Sequence, residues 1–108
     1  MVTCTNCGTA ATWYAGLPAG RLDFTGAVSL TFWLRVNKVG TGTQTWTLRN
    51  VTDNTILATV SDAGAVGWKE LETSVVVNLA GVKKVRVEIH STSASDDPVF
   101  GGWDVVLS

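Results

Sequence analysis

The run Val28-Ser29-Leu30-Thr31-Phe32-Trp33-Leu34-Arg35-Val36 decides the fold class. Every even position is apolar and every odd position except Trp33 is polar. That two-residue period belongs to an antiparallel strand with one face in a core and the other in solvent. The same alternation recurs on either side. Residues 45–51 place Trp46 and Leu48 on a core face, and Asp53-Asn54-Thr55 turns the chain into a strand at 56–60, because Asp and Asn tolerate left-handed turn positions. Residues 68–79 read as one long or bent strand with Leu71, Thr73, Val75, Val77 and Leu79 on one face. Ala80-Gly81 turns into a strand in which Val85, Val87 and Ile89 alternate with Lys84, Arg86, Glu88 and His90. Trp103, Val105 and Leu107 share a face of the last strand, and weaker strands are expected at 11–15 and 21–24.

Composition agrees with this pattern. Sixteen valines, fifteen threonines and two isoleucines make the 108-residue chain rich in β-branched side chains, which suit pleated, half-buried surfaces. No helical period appears. About eight short strands at turn spacings of roughly ten residues predict an all-β fold, an antiparallel β-sandwich or jelly roll. The expected organisation is an N-terminal arm, residues 1–10, and one sandwich domain, residues 11–108. The expected core comprises Val28, Leu30, Phe32, Leu34, Trp46, Leu48, Val75, Val77, Val85, Val87, Ile89, Val105 and Leu107, each contributing about 1.5–3 kcal/mol when fully buried. Folding then requires neither a metal nor a disulfide.

Charge and end sequences narrow the partners. Charged residues are 16% of the chain, against about 25% in ordinary soluble domains, and the net charge is −1. Nucleic acid is not expected, because phosphate binding needs a basic footprint. Disorder is excluded by 45% hydrophobic residues at nearly zero net charge. The residues after Met1 lack the basic and apolar regions of a secretory signal, and no apolar run approaches the roughly 18 residues of a membrane span, so no membrane partner is expected. Cys4 and Cys7 form a CxxC, but one histidine and no second cysteine pair leave a zinc site incomplete, and no helix pattern follows to support a redox motif. Two free thiols in an arm, a local Cys4–Cys7 disulfide and links to neighbouring subunits all remain open.

Catalytic patterns are not apparent. His90 is the only histidine, at the solvent-facing end of a strand beside a serine-rich loop, and no nucleophile elbow, phosphate loop or dinucleotide fingerprint accompanies it. The chain is therefore read as a non-enzyme with no cofactor. Candidate binding residues come from the tryptophans, five in all. Trp46 and Trp103 fall on apolar faces and read as core. Trp33 lies on the polar face of its strand between Thr31 and Arg35, and Trp68 shares its parity with Glu70 and Glu72. A large aromatic on a solvated sheet face covers a subunit contact, stacks on a sugar ring or packs beneath a loop. Trp13 and Tyr14 either anchor the arm on a partner or begin the first strand. Asp96, Asp97 and Asp104 are weak calcium candidates, with a solvated turn the favoured reading. Arg35, Arg49 and Arg86 occupy polar strand faces, where they pair with Glu88 or Glu70 or meet an acidic neighbouring subunit, exposed ion pairs being the ordinary outcome.

Two resemblances follow from these residues. The run 76–87, with its Leu79-Ala80-Gly81 turn, followed by Gly102-Trp103-Asp104-Val105-Val106-Leu107, is similar to the closing strands of jelly-roll carbohydrate-binding modules. This covers roughly the last third of the chain. It implies a calcium-side role for Asp104 and a sugar platform at Trp33 or Trp68. The whole profile, including the hairpin pattern of residues 46–57, resembles small jelly-roll virion proteins of phages that decorate capsids or form fibre tips. That resemblance implies a homo-oligomeric virion component, made in a host cytoplasm, that contacts capsid or other virion subunits. The leading expectation is this capsid decoration or attachment role, with Trp33, Trp68, Arg35, Trp13 and Tyr14 at the interface. The alternative is a carbohydrate-binding module, secreted, whose exposed tryptophans hold a glycan.

Overall fold

The computed structural model describes residues 2–3, 19–93 and 96–108. The strand expected at 11–15, the Cys4 and Cys7 pair, and Trp13 and Tyr14 lie outside the described residues. Eight strands follow in order: β1 (Val2–Thr3), β2 (Ala19–Asp23), β3 (Ser29–Lys38), β4 (Gln44–Asn50), β5 (Thr55–Asp62), β6 (Gly67–Val76), β7 (Val82–Ser91) and β8 (Val99–Leu107). They form two four-stranded sheets, β1-β8-β3-β6 and β2-β7-β4-β5, with every pairing antiparallel. The expected all-β sandwich is the observed fold.

β3 behaves as its alternation dictates. Leu30, Phe32, Leu34 and Val36 point inward and are fully buried. From the opposing sheet, Trp46, Leu48, Val85, Val87 and Ile89 meet them, and the Trp46 and Phe100 rings lie 5.8 Å apart at a tilt. Trp103 also points inward, with its ring edge against Gly20 of the opposite sheet. The turn after β4 runs through Asn54 at φ 55°, the left-handed position anticipated for this hairpin.

The core differs from expectation at its margins. Val28 is 67% exposed, because β3 begins one residue later and the chain at Val28 instead bonds Ser108 and Val77 at the end of the sheet, beyond the cover of the opposite layer. Val75, Val105 and Leu107 are half-buried against the rim of the core. Phe24, Val36, Ala58 and Phe100 join the core instead. Phe100 does so through a register shift. Arg35 faces Gly102 but Val36 faces Phe100, so Gly101 is an extra residue that reverses the parity of β8. β6 ends at Val76, short of the expected Leu79, yet Val77 remains buried through its N–H bond to the Val28 carbonyl.

The outer face of the β2-β7-β4-β5 sheet holds a buried charge arrangement. Arg49 and Arg86 are cross-strand partners, a repulsive pairing on its own. Glu88 resolves it, accepting hydrogen bonds from Arg49 Nε at 2.8 Å and Arg86 Nε at 2.7 Å, one on each carboxylate oxygen. Burial pushes the Glu88 carboxyl up, but the two arginine hydrogen bonds and charges outweigh it and hold the group below the ordinary glutamate range. A carboxyl depressed in the folded state stabilises fully above the ordinary range, and that contribution is lost as pH falls through the folded value. Glu88→Gln, which leaves two facing arginines without a counter-charge, is expected to cost about 1–3 kcal/mol at neutral pH. Its urea midpoint should also fall less steeply than wild type on acidification. Parallel pH slopes for the two proteins would contradict this role.

Candidate functional site

The outer face of the β1-β8-β3-β6 sheet gathers most of the described binding candidates. Because β3 is paired on both sides, each of its outward residues defines a row across three strands. Trp33 stands between Glu72 of β6 and Asp104 of β8. In the next row Arg35 stands between Glu70 and Gly102, and beyond it Asn37 stands between Trp68 and Val99. Along the strand in the other direction, Thr31 and Ser74 share a hydroxyl hydrogen bond of 2.9 Å, with Val106 on the opposite flank.

The two tryptophans of this face are set differently. Trp33 is half-buried in the middle of the sheet. Trp68, on the edge strand, is 43% exposed and reaches across β3 towards the bulge of β8. The Arg35 guanidinium lies 5.2 Å from the centroid of its ring, a cation–π contact. A Cβ at Gly101 would come within 2.8 Å of the Trp68 ring and 3.0 Å of the Arg35 carbonyl oxygen. The bulge glycine therefore leaves the space into which the indole is laid. Two aromatic rings, one arginine and three carboxylates (Glu70, Glu72 and Asp104) share a continuous sheet face. Among the described residues no cavity is present.

The remaining candidates are dispersed. Asp96 is buried at the loop following β3, where its Oδ2 accepts the Gly42 N–H at 2.9 Å and the Ser91 hydroxyl at 3.3 Å, and its carboxylate fills the space beside Gly40 and Gly42. Asp97 is half-buried nearby in sequence, whereas Asp104 sits beside Trp33 on the sheet face. Among the described residues no three His, Cys, Asp or Glu side chains are grouped so that they could hold a metal ion. Arg49 and Arg86 bond Glu88, as one of the sequence pairings anticipated, while Arg35 stacks on Trp68 rather than bonding Glu70. Sequence parity placed Trp33, Trp68 and Arg35 on this polar face, whereas Asp104, read as a calcium candidate, lies beside Trp33 with no metal-holding group around it among the described residues. Parity missed Gly101 as the residue that seats Trp68, although a Gly101-Gly102 doublet inside a strand is a recognised bulge signal.

No family model matches the chain, and no curated protein matches it. Solved structures do. The EclA C-terminal domain, described as a sugar-binding protein, matches over 97% of this chain and 76% of its own at 14% identity and a TM-score of 0.58. The carbohydrate-binding module CBM36 in complex with calcium and xylotriose matches over 100% of this chain and 89% of its own at 8% identity and a TM-score of 0.58. A glycoside hydrolase family 43 arabinoxylan arabinofuranohydrolase from Bacillus subtilis, in complex with cellotetraose, matches over 98% of this chain at 24% identity and a TM-score of 0.63, but this chain spans only 21% of that protein. At these identities the likeness is one of fold.

The structural neighbours are jelly-roll carbohydrate-binding modules, which agrees with the resemblance read in the closing strands. They overturn the expectation of a virion decoration or attachment protein, whose capsid contacts and oligomeric assembly find no support. The physical reason is visible on the sheet face itself. Protein interfaces deplete charge at their centres, whereas Trp33 here is flanked by exposed carboxylates on both sides. The low overall charge that suggested a surface made for burial does not extend to the rows around this tryptophan.

Gly101→Ala is expected to lower stability by about 1–3 kcal/mol through overpacking, and to lift the Trp68 indole off the sheet. Acrylamide should then quench tryptophan fluorescence more strongly than in wild type. The increase should vanish in a Trp68→Phe background. Equal quenching of Gly101→Ala and wild type would show that the glycine does not seat the indole.

Proposed function

We propose that this chain is a carbohydrate-binding module that holds a glycan on the outer face of the β1-β8-β3-β6 sheet. The observation that carries the reading is the placement of Trp33 and Trp68 on one outer sheet face, with Gly101 cleared beneath the second ring. Pyranose rings present a flat array of C–H groups that packs on an aromatic face, and a sheet offers such faces at fixed spacing. Around the rings, Glu70, Glu72, Asp104, Asn37 and Arg35 supply acceptors and donors for sugar hydroxyls. Binding on a rigid sheet rather than on loops means that little order must be gained on association.

The sugar-binding neighbours of the same fold support this reading. In it, Trp33 is the central stacking residue, Trp68 the second, and Arg35 holds Trp68 in place through the cation–π contact. The role is one of binding. Any reaction on the glycan belongs to another protein or another domain.

The test is titration calorimetry and tryptophan fluorescence against soluble oligosaccharides, including glucose, xylose and galactose hexamers. The expected result is saturable binding with an emission shift, weakened at least tenfold by Trp33→Ala and several-fold by Trp68→Ala, each variant being checked by circular dichroism for the wild-type fold at the temperature of titration. Undiminished binding in Trp33→Ala would remove this face from the reading. Absence of binding to any of a broad glycan panel would remove the reading itself.

A further inference from the structure

The charges around Trp33 bear on which glycans such a platform takes, an inference that rests on the glycan-binding reading. Glu72 and Asp104 flank the ring from the two neighbouring strands, and Glu70 lies one row further along. All three side chains are exposed. Among the described residues none of them is in an ion pair, the salt bridges being made by Asp53, Asp62 and Glu88. One oxygen of Asp104 accepts the Val105 N–H at 2.8 Å. The one cation of these rows, Arg35, is drawn over the Trp68 ring.

Three carboxylates to one guanidinium leave the rows around Trp33 with a net negative charge. The face of an indole is the negative end of its quadrupole and attracts cations, and the carboxylates on both flanks act in the same direction. We propose that the platform around Trp33 selects glycans by charge, binding chains of protonated amino sugars more tightly than neutral chains of the same linkage, and neutral chains more tightly than chains of uronic acids. A neutral sugar stacks on the ring and donates hydroxyl hydrogen bonds to the carboxylates. A protonated amine makes the same bonds with charge assistance, which strengthens them. A uronate instead brings like charge against the two flanking carboxylates, neither of which is in an ion pair among the described residues. Each exposed pair changes affinity by roughly 1.4- to fivefold, so the two flanking groups together set a step of roughly two- to 25-fold between successive ligands.

Three β-1,4-linked hexamers isolate the effect: glucose, glucosamine, which differs only at the 2-position, and glucuronate, which differs only at the 6-position. Titrated into the whole chain in low-salt buffer near pH ~5.5, where the sugar amines are protonated and ordinary carboxylates remain ionised, they should bind in the order glucosamine, glucose, glucuronate. Added salt should compress the spread. Glu72→Gln with Asp104→Asn, checked for folding by circular dichroism, should bring the three affinities together, and each single variant should do so in part. Glucose binding as tight as glucosamine, or glucuronate as tight as glucose, would overturn charge selection while leaving the glycan reading intact. An amine preference unchanged in the double variant would overturn it as well, since the responsible charge would lie elsewhere. Failure of all three hexamers and of every glycan in the broader panel would instead take down the reading beneath it.

Discussion

The rest of the structure depends on the pairing of β3 along both of its edges. Ten cross-strand partners on β6 and eight on β8 fix its register, and a strand period of two then leaves no freedom in which side chains face the core. Leu30, Phe32, Leu34 and Val36 must be inside together, and Thr31, Trp33, Arg35 and Asn37 must be outside together. A slip of one residue would place Trp33 and Arg35 in the core and four large apolar side chains in water. The register that packs the sandwich thus also presents the outer-face tryptophan and the residues that surround it.

The bulge at Gly101 modifies this regular frame at one point. By inserting a residue into β8 it turns Phe100 into the core, where its ring meets Trp46, and at the same place it removes a side chain from the outer face. Trp68 occupies the space so opened. A packing adjustment inside the sandwich and the seating of an aromatic ring outside it are therefore two effects of one glycine. An added methyl group would meet both the indole and a backbone carbonyl, which cannot move independently.

The two outer faces treat charge in opposite ways. On the β2-β7-β4-β5 sheet, Glu88 is buried between two arginines and each of its oxygens is bonded, so the charges there are neutralised within the fold. On the other sheet, Glu70, Glu72 and Asp104 have no such partners among the described residues, and Arg35 is turned towards an aromatic ring instead. The first arrangement stabilises the domain. The second leaves electrostatic attraction available to something that approaches from solution.

Local periodicity was enough to read the all-β sandwich, β3 and its neighbours, most of the core, the Asn54 turn, and the outward placement of Trp33 and Trp68. Each of these follows from the alternation of side chains along a single strand, or from the φ preference of a single residue, and neither requires knowledge of a partner strand. The tertiary structure alone decided that Trp33, Glu72 and Asp104 share a row, that Arg35 stacks on Trp68 rather than pairing with Glu70, that Val28 lies beyond the core, and that Phe100 is inside it. Those outcomes depend on register between strands far apart in sequence and on a bulge that reverses parity midway along β8. Period-two reasoning carries the orientation of side chains along one strand, but it contains no term for which strand lies alongside or for where an extra residue interrupts the ladder.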